Sequence, residues 1–276
     1  MSSEELIEKY FRPGRLPHIW CPGCGNGIVT GCIVRAIDKL GLAKDDVAVV
    51  SGIGCSSRAS GYLDFNTVHS AHGRALPVAT GVKLGNPKLN VVVVSGDGDC
   101  TAIGGNHFIH AARRNIDLTL VVFNNSIYGM TGGQYSPLTP YGSKATTAPY
   151  TTIDHDFDLV ELAKAAGATF VARSTTYHAV QLVDLIAKGI QHKGFSVIEA
   201  VSACPTSFGR QNKMGGPADM ILWQRDHAVM LPMWEKMTPE QRQGKFPIGV
   251  LWENNDRIEY NEAYEALIER VQGAKK

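Results

Sequence analysis

Two short stretches of the chain combine residue types that suit a metal ion and a phosphate. Gly96-Asp97-Gly98 sets one carboxylate between two glycines, and Asn124-Asn125 follows it after residues 99–123. Magnesium takes about six oxygen ligands, of which a diphosphate with one water supplies about half, so carboxylate and amide oxygens must complete the shell. Asp97 offers one. If the intervening residues return the chain to the same edge, the Asn125 amide oxygen and a nearby main-chain carbonyl come within reach. Glycine on both sides of the aspartate permits positive φ and lets the backbone approach a phosphate closely. The tripeptide alone reads equally well as a tight turn.

Six cysteines form the second group. Cys21-Pro22-Gly23-Cys24 has the spacing that lets two thiolates share a metal or form a redox pair. The preceding residues, 12–20, do not read as the strand a thioredoxin-like motif requires, and no second close pair completes a zinc knuckle. Cys55 directly follows Gly52-Ile53-Gly54, and Cys204 follows a buried run and precedes Pro205. Both are expected at strand carboxyl ends, which would put them on the same sheet edge as Asp97. Cys32 lies within an apolar helical pattern and reads as core. Cys100, after Asp99, is the rival fourth ligand, although a small thiol there can simply pack.

The elements that must position these groups are legible from periodicity. Residues 47–51, 91–95, 118–124 and 195–200 are apolar runs of strand length, and 169–172 reads as extended. Helical patterns cover 27–40, 102–114, 159–166 and 178–193. The order strand, helix, strand around 91–124 is a β-α-β unit, which implies parallel strands with ligands beyond their carboxyl ends. Val49-Val50-Ser51-Gly52-Ile53-Gly54 echoes Val93-Val94-Ser95-Gly96-Asp97-Gly98, as two parallel strands ending in similar turns would. The stretch 125–152, rich in Gly, Ser, Thr and Pro, is a long loop expected to cover the ligand. Residues 1–20 read as an N-terminal arm, 21–212 as the binding domain and 213–276 as a C-terminal extension that includes a helical piece around 220–237.

Composition narrows the function classes. Twenty-seven basic residues against 26 acidic ones leave a net charge of +1, so no global field favours nucleic acid or an anionic membrane. No apolar run approaches the length needed to span a bilayer. The acidic start Met1-Ser2-Ser3-Glu4-Glu5 does not resemble a signal peptide, so a cytoplasmic chain with reduced thiols is expected.

The spacing from Gly-Asp-Gly to Asn-Asn resembles the signature of thiamine-diphosphate enzymes. In those, the aspartate, the second asparagine and the carbonyl two residues later hold magnesium, which correspond to Asp97, Asn125 and Ile127. More specifically, residues 16–210 resemble the β subunit of 2-oxoacid:ferredoxin oxidoreductases. The matching segments include Cys21-Pro22-Gly23-Cys24-Gly25, Gly52-Ile53-Gly54-Cys55, His72-Gly73-Arg74 and Gly96-Asp97-Gly98-Asp99. Arg113-Arg114-Asn115, Tyr128-Gly129-Met130-Thr131-Gly132-Gly133-Gln134 and Cys204-Pro205-Thr206 complete them.

The resemblance implies an α/β fold, a parallel-sheet thiamine-diphosphate-binding fold with helices on both faces. It implies one [4Fe-4S] cluster on Cys21, Cys24, Cys55 and Cys204, and cofactor contacts from Ile53, Gly54, Cys55, Ser56, His72, Gly98, Asp99, Gly129 and Met130. His72 would otherwise read as a core or capping histidine. The implied activity is coenzyme A-dependent oxidative decarboxylation of a 2-oxoacid, with electrons passing through the cluster to ferredoxin. The same centre could run the carboxylation if ferredoxin is sufficiently reduced. No local sequence marks the glutamate that activates thiamine diphosphate; in this family it comes from an α subunit, so an obligate αβ complex is expected. Residues 16–20 and 204–210 look most like the 2-oxoglutarate branch, with pyruvate and branched-chain 2-oxoacids as alternatives. Arg58, Arg74 and Arg210 are the candidates for a second substrate carboxylate. A non-redox thiamine-dependent decarboxylase or synthase would have no use for the four cysteines.

Overall fold

The computed structural model describes residues 2–273. Its centre is an eight-stranded sheet: β1 (Val47–Ser51), β2 (Asn66–His69), β3 (Asn90–Gly96), β4 (Leu118–Asn124), β5 (Phe170–Thr175), β6 (Phe195–Val201), β7 (Ala228–Met230) and β8 (Phe246–Glu253). The order across the sheet is β2-β1-β3-β4-β6-β5-β8-β7. Every pairing is parallel except that between β5 and β8.

Both faces of the sheet are covered, and successive residues of each central strand serve different cores. Val92 and Val94 pack with Val121 and Phe123 beneath helices α1 (Ser3–Tyr10), α2 (Asn26–Lys39) and, beyond the short α3 (Ala59–Tyr62), a later helix over Ala179–Gln191. Val91 and Val93 join Leu118, Leu120 and Val122 on the opposite face, beneath α4 (Ala75–Gly85), α5 (Gly105–Arg114) and α6 (Leu159–Ala166). Burial on both sides is why these strands read as unbroken apolar runs. Among the described residues no helix is long and apolar enough to cross a membrane.

The register aligns the strand ends that carry the chemistry. Ser51 lies opposite Val94, Gly96 opposite Phe123 and Asn124 opposite Val201, so β1, β3, β4 and β6 all finish at one edge. The repeated turn sequences thus belong to two adjacent parallel strands. A buried polar chain fixes the end of β4: Asn124 Nδ2 donates to Glu199 Oε1 at 2.7 Å, and Glu199 Oε2 accepts from Arg173 Nε at 2.6 Å. Arg173 also reaches Asp158, the N-cap of α6, at 2.8 Å. Breaking a buried pair strands its partner's charge, so Arg173→Ala should cost about 3–5 kcal/mol, or roughly 10 °C in melting temperature. Thermal unfolding checks this, and a loss under about 1 kcal/mol, the worth of an exposed pair, would refute it.

Several elements were not foreseen. α4 and β2 had no reading, and residues 213–276 contribute two strands: β8 runs antiparallel along β5, with β7 beyond it. The helical piece expected around 220–237 is instead a helix over Pro217–His227, then β7, then a single turn over Leu231–Trp234. The helix expected from residue 102 begins at Gly105, after a wide turn over Asp99–Ile103.

Candidate active site

The loops beyond β1, β3 and β4 form an open pocket at this edge of the sheet. Its walls contain every residue expected to touch a cofactor: Ile53, Gly54, Cys55 and Ser56 from the first loop, His72, then Gly98 and Asp99, then Gly129 and Met130. Asp97, Asn125 and Ile127 lie in the same wall. Glycine is required at position 98, because a Cβ there would sit 2.1 Å from Cζ of Tyr128, whose hydroxyl donates to the Gly98 carbonyl at 2.8 Å. Gly98→Ala should push the Tyr128 ring out of the wall and weaken cofactor binding about tenfold or more, as a lost buried contact plus overpacking would. Titration calorimetry on the variant decides it; unchanged affinity refutes it.

Asp97 has the surroundings of a carboxylate that needs a cation. It is 2% exposed, and burial pushes its pKa up to about 7, against the hydrogen bonds that favour the charged form. Those come from the Ser136 hydroxyl and from the backbone N–H groups of Asp97, Gly98 and Ile127. The Asn125 side-chain oxygen accepts from the Ile127 N–H at 3.3 Å, placing both residues beside Asp97. A carboxylate, an amide oxygen and a carbonyl-bearing loop in one wall are the hard-oxygen set that magnesium takes. Ser136 was missed from sequence because it sits far from any motif, in the middle of the covering loop.

The four expected cysteines share the neighbouring space. Cys55 and Cys204 flank Gly129: a Cβ on that glycine would lie 3.5 and 3.6 Å from their sulfurs. Burial first, and then the neighbouring Cys204, Cys55 and Cys21, push the Cys24 thiol up to about 12; burial, with Cys204 and Cys21, likewise pushes Cys55 up to about 11. Among the described residues no group of three or more His, Cys, Asp or Glu side chains converges as a single ion would require. An iron–sulfur cube holds its thiolates farther apart, at its corners. Two orphaned polar groups adjoin these cysteines: the Asn26 amide, two residues after Cys24, and the Ser57 hydroxyl, two after Cys55, are buried without any partner. Cys204 is buried, Cys24 and Cys55 are half-buried and Cys21 is exposed; thiols at this edge, with unpaired polar groups two residues along the chain from two of them, fit an inorganic cluster with sulfur acceptors. Cys32 and Cys100 do not belong to this group: Cys32 lies in the α2-side core and Cys100 in the core on the other face.

The three arginines do not line the pocket. Arg58 is exposed in a second hollow with Arg12 and Arg15. Arg74 precedes α4 and Arg210 follows the turn after Cys204, both exposed. Asn115, within a matching segment, lies away from the pocket: it ends α5 in a left-handed conformation and is fully buried. Its amide oxygen accepts from Thr169 and from the Phe195 N–H, and its nitrogen donates to the carbonyls of Arg257 and Ile258.

Comparison with known proteins agrees with this geometry. Residues 52–200, more than half of the chain, match the family model described as thiamine pyrophosphate enzyme, C-terminal TPP binding domain. The chain is 53% identical to 2-oxoglutarate synthase subunit KorB of Methanocaldococcus jannaschii, over 95% of this chain and 97% of that one. It is 39% identical to 2-oxoacid:ferredoxin oxidoreductase 2, subunit beta, of Aeropyrum pernix, over 90% of this chain and 84% of that one. Among solved structures, 2-oxoglutarate:ferredoxin oxidoreductase from Magnetococcus marinus, with 2-oxoglutarate, coenzyme A and succinyl-CoA bound, superposes with a TM-score of 0.86. That match is 32% identical and covers 96% of this chain and 90% of that one. The matching family model and these relatives, covered over most of their length, show that the chain belongs with the β subunits of the 2-oxoacid:ferredoxin oxidoreductases, which are thiamine pyrophosphate enzymes.

Proposed function

We propose that this chain, paired with an α subunit, converts 2-oxoglutarate and coenzyme A to succinyl-CoA and carbon dioxide while passing electrons to ferredoxin, in a reaction open to reversal. The observation that carries this reading is the wall shared at Gly129. Gly129 lines the cofactor pocket together with Cys55, and a Cβ on it would lie 3.5 and 3.6 Å from the sulfurs of Cys55 and Cys204. A thiamine enzyme without redox chemistry has no reason to set thiols one residue away from its cofactor. The 2-oxoglutarate assignment is supported by the likeness to the 2-oxoglutarate synthase subunit of Methanocaldococcus jannaschii and the 2-oxoglutarate:ferredoxin oxidoreductase of Magnetococcus marinus.

When bound, thiamine diphosphate supplies the nucleophilic carbon and electron sink for decarboxylation, and a [4Fe-4S] cluster supplies a one-electron acceptor. This chain's residues hold both. Asp97, the Asn125 amide and the Ile127 carbonyl would ligate magnesium, with Ser136 fixing the Asp97 rotamer. Gly98 and Gly129 let backbone approach the cofactor, and Ile53, Gly54, Ser56, Asp99 and Met130 complete the walls. Cys21, Cys24, Cys55 and Cys204 would ligate the cluster. Arg58, Arg74 and Arg210, all solvent-facing in this chain, are assigned to anionic groups of the substrate or coenzyme A.

No glutamate is among the residues lining the pocket, so the group that protonates the aminopyrimidine is assigned to the α subunit. Apolar side chains left in water support that partner. Ile53 and Met130 are exposed at the pocket mouth, and Tyr150 and Ile153 in the covering loop are 91% and 81% exposed. The arm 1–20, the binding domain 21–212 and the extension 213–276 are assigned to one subunit of a cytoplasmic complex.

Co-purification with the α subunit, followed by dye reduction over a panel of 2-oxoacids with coenzyme A, tests the whole reading. The expected result is activity only in the complex and highest on 2-oxoglutarate. Activity of the isolated chain would remove the need for the partner, and a preference for pyruvate or a branched-chain acid would overturn the substrate.

A further inference from the structure

Asp99 stands in the pocket wall, yet its oxygens are turned to the protein. Oδ1 accepts from the Gly73 N–H at 2.7 Å, from the Ile53 N–H at 3.3 Å and from Nδ1 of His72; Oδ2 accepts from the Ser95 hydroxyl at 2.6 Å. The residue is 3% exposed, and a Cβ on Gly52 would lie 1.9 Å from Oδ2, so the first loop closes directly onto the carboxylate. One side chain thereby ties the ends of β1 and β3 to the His72-Gly73 turn. Two of the three donors on Oδ1 are backbone N–H groups, which can only donate. That oxygen therefore carries no hydrogen, and His72 must donate its own from Nδ1. The other face of the site holds the ring as well, since His72 lies edge-on to Tyr128, with centroids 6.0 Å apart and planes at 87°.

We infer that Asp99 is a positioning residue, not a ligand of the cofactor: it fixes His72 with the proton on Nδ1, so that Nε2 is the ring atom offered to thiamine diphosphate. The inference rests on the proposed identity of this pocket. It separates two residues that the family resemblance treats alike as cofactor contacts. The logic is that of the partner behind a metal-bound histidine, where the second nitrogen's hydrogen bond sets tautomer and aim.

Two conservative replacements of His72 distinguish this from a purely structural tie. His72→Asn puts an amide near the Nδ1 position, so it keeps the bond to Asp99 and removes the Nε2 end. His72→Gln places its amide near Nε2 and gives up the bond to Asp99. Thiamine diphosphate affinity of the apo αβ complex, measured by calorimetry with magnesium present, is the readout, with thermal unfolding as the check on folding. His72→Asn is expected to weaken binding roughly tenfold or more, the worth of a hydrogen bond to a charged ligand, with His72→Gln closer to wild type. Asp99→Asn keeps an acceptor at Oδ1 and turns its amide group to the Ser95 oxygen, so the loops stay tied, but the acceptor is neutral and its grip on the His72 Nδ1 hydrogen loosens. It should weaken binding in the wild-type background and cost nothing further in the His72→Asn background. Wild-type affinity in His72→Asn, affinity in His72→Gln no better than in His72→Asn, or an equal Asp99→Asn loss in both backgrounds overturns the inference. If the wild-type complex itself binds no thiamine diphosphate, the proposed function fails first.

Discussion

Cys204→Ser in the αβ complex is expected to remove the iron and its visible absorption and to lower ferredoxin-linked turnover by at least about a hundredfold, while the subunit stays folded. Cys204 is 8% exposed at the end of the β6 loop, with its sulfur against Gly129. A serine hydroxyl has nearly the same shape but does not ionise at neutral pH and is a poor ligand for iron. The loop keeps its shape because it is held by its own backbone: Phe208 and Gly209 N–H groups donate to the Cys204 carbonyl, and the Gly25 N–H donates to that of Ala203, so the stability lost is that of the cluster's cross-link. Cys100→Ser is the control. Its thiol is packed in the core on the opposite face of the sheet, so iron content should be unchanged and only stability should fall. Full iron content in Cys204→Ser, or iron lost equally from Cys100→Ser, would falsify the assignment of the four ligands.

Asp97→Asn should produce two effects of opposite sign. With magnesium and thiamine diphosphate, affinity should fall at least a hundredfold, about the loss of one charged ligand. Without them the variant apo-complex should be the more stable. The carboxyl is fully buried and its pKa is raised by desolvation from 3.8 to about 7. A group whose folded pKa lies above its unfolded value contributes stability that is intact below the unfolded pKa and lost as pH rises through the folded one. The wild-type apoprotein should therefore lose stability relative to Asp97→Asn between about pH 4 and pH 7, by up to on the order of 4 kcal/mol. Thermal unfolding of both proteins across that range, with and without magnesium and thiamine diphosphate, reads both effects. A variant less stable at pH 7 without cofactor would show that the carboxylate is not strained by burial.

How much of this was legible in the sequence depended on whether a residue's task is local. β1, β3, β4 and β6 could be read because burial on both faces leaves runs such as Val91-Val92-Val93-Val94 that have few other uses. β8 escaped because it lies toward the sheet's rim: its burial is mostly partial, and Pro247 and Gly249 interrupt the pattern. β2 is four residues long and mostly exposed. α4 contains Pro77 and Gly81, which argue against a helix in sequence; the proline lies in its first turn, where no hydrogen bond is lost.

The site shows the same division. Asp97, Asn125 and the cysteines carry spacing that survives in one dimension. Ser136 could not be seen, because a long covering loop decides which of its hydroxyls reaches Asp97. Asn124, Asn115 and Asp99 show the converse, residues of matching segments whose side chains are engaged with the protein itself. Each spends its side chain on protein partners: Glu199 and the Ser126 N–H for Asn124, three separate segments for Asn115, and two loops and the end of β3 for Asp99. Hydrogen-bond accounting across the folded chain separates the two roles, and no sequence window contains it.

The cysteine arrangement has a mechanical meaning as well as an electronic one. Cys21 and Cys24 precede the first strand, Cys55 follows it, and Cys204 comes after six of the eight strands have been laid down. A cluster shared among them is a cross-link between distant parts of the polymer, and closing a loop of more than a hundred residues removes denatured-state entropy worth about 5 kcal/mol in the chain-entropy treatment. Oxygen damage to such a centre would do more than stop electron flow. It would cut a staple, so loss of the brown colour should be followed by faster proteolysis of the whole subunit, beginning at the arm around Cys21.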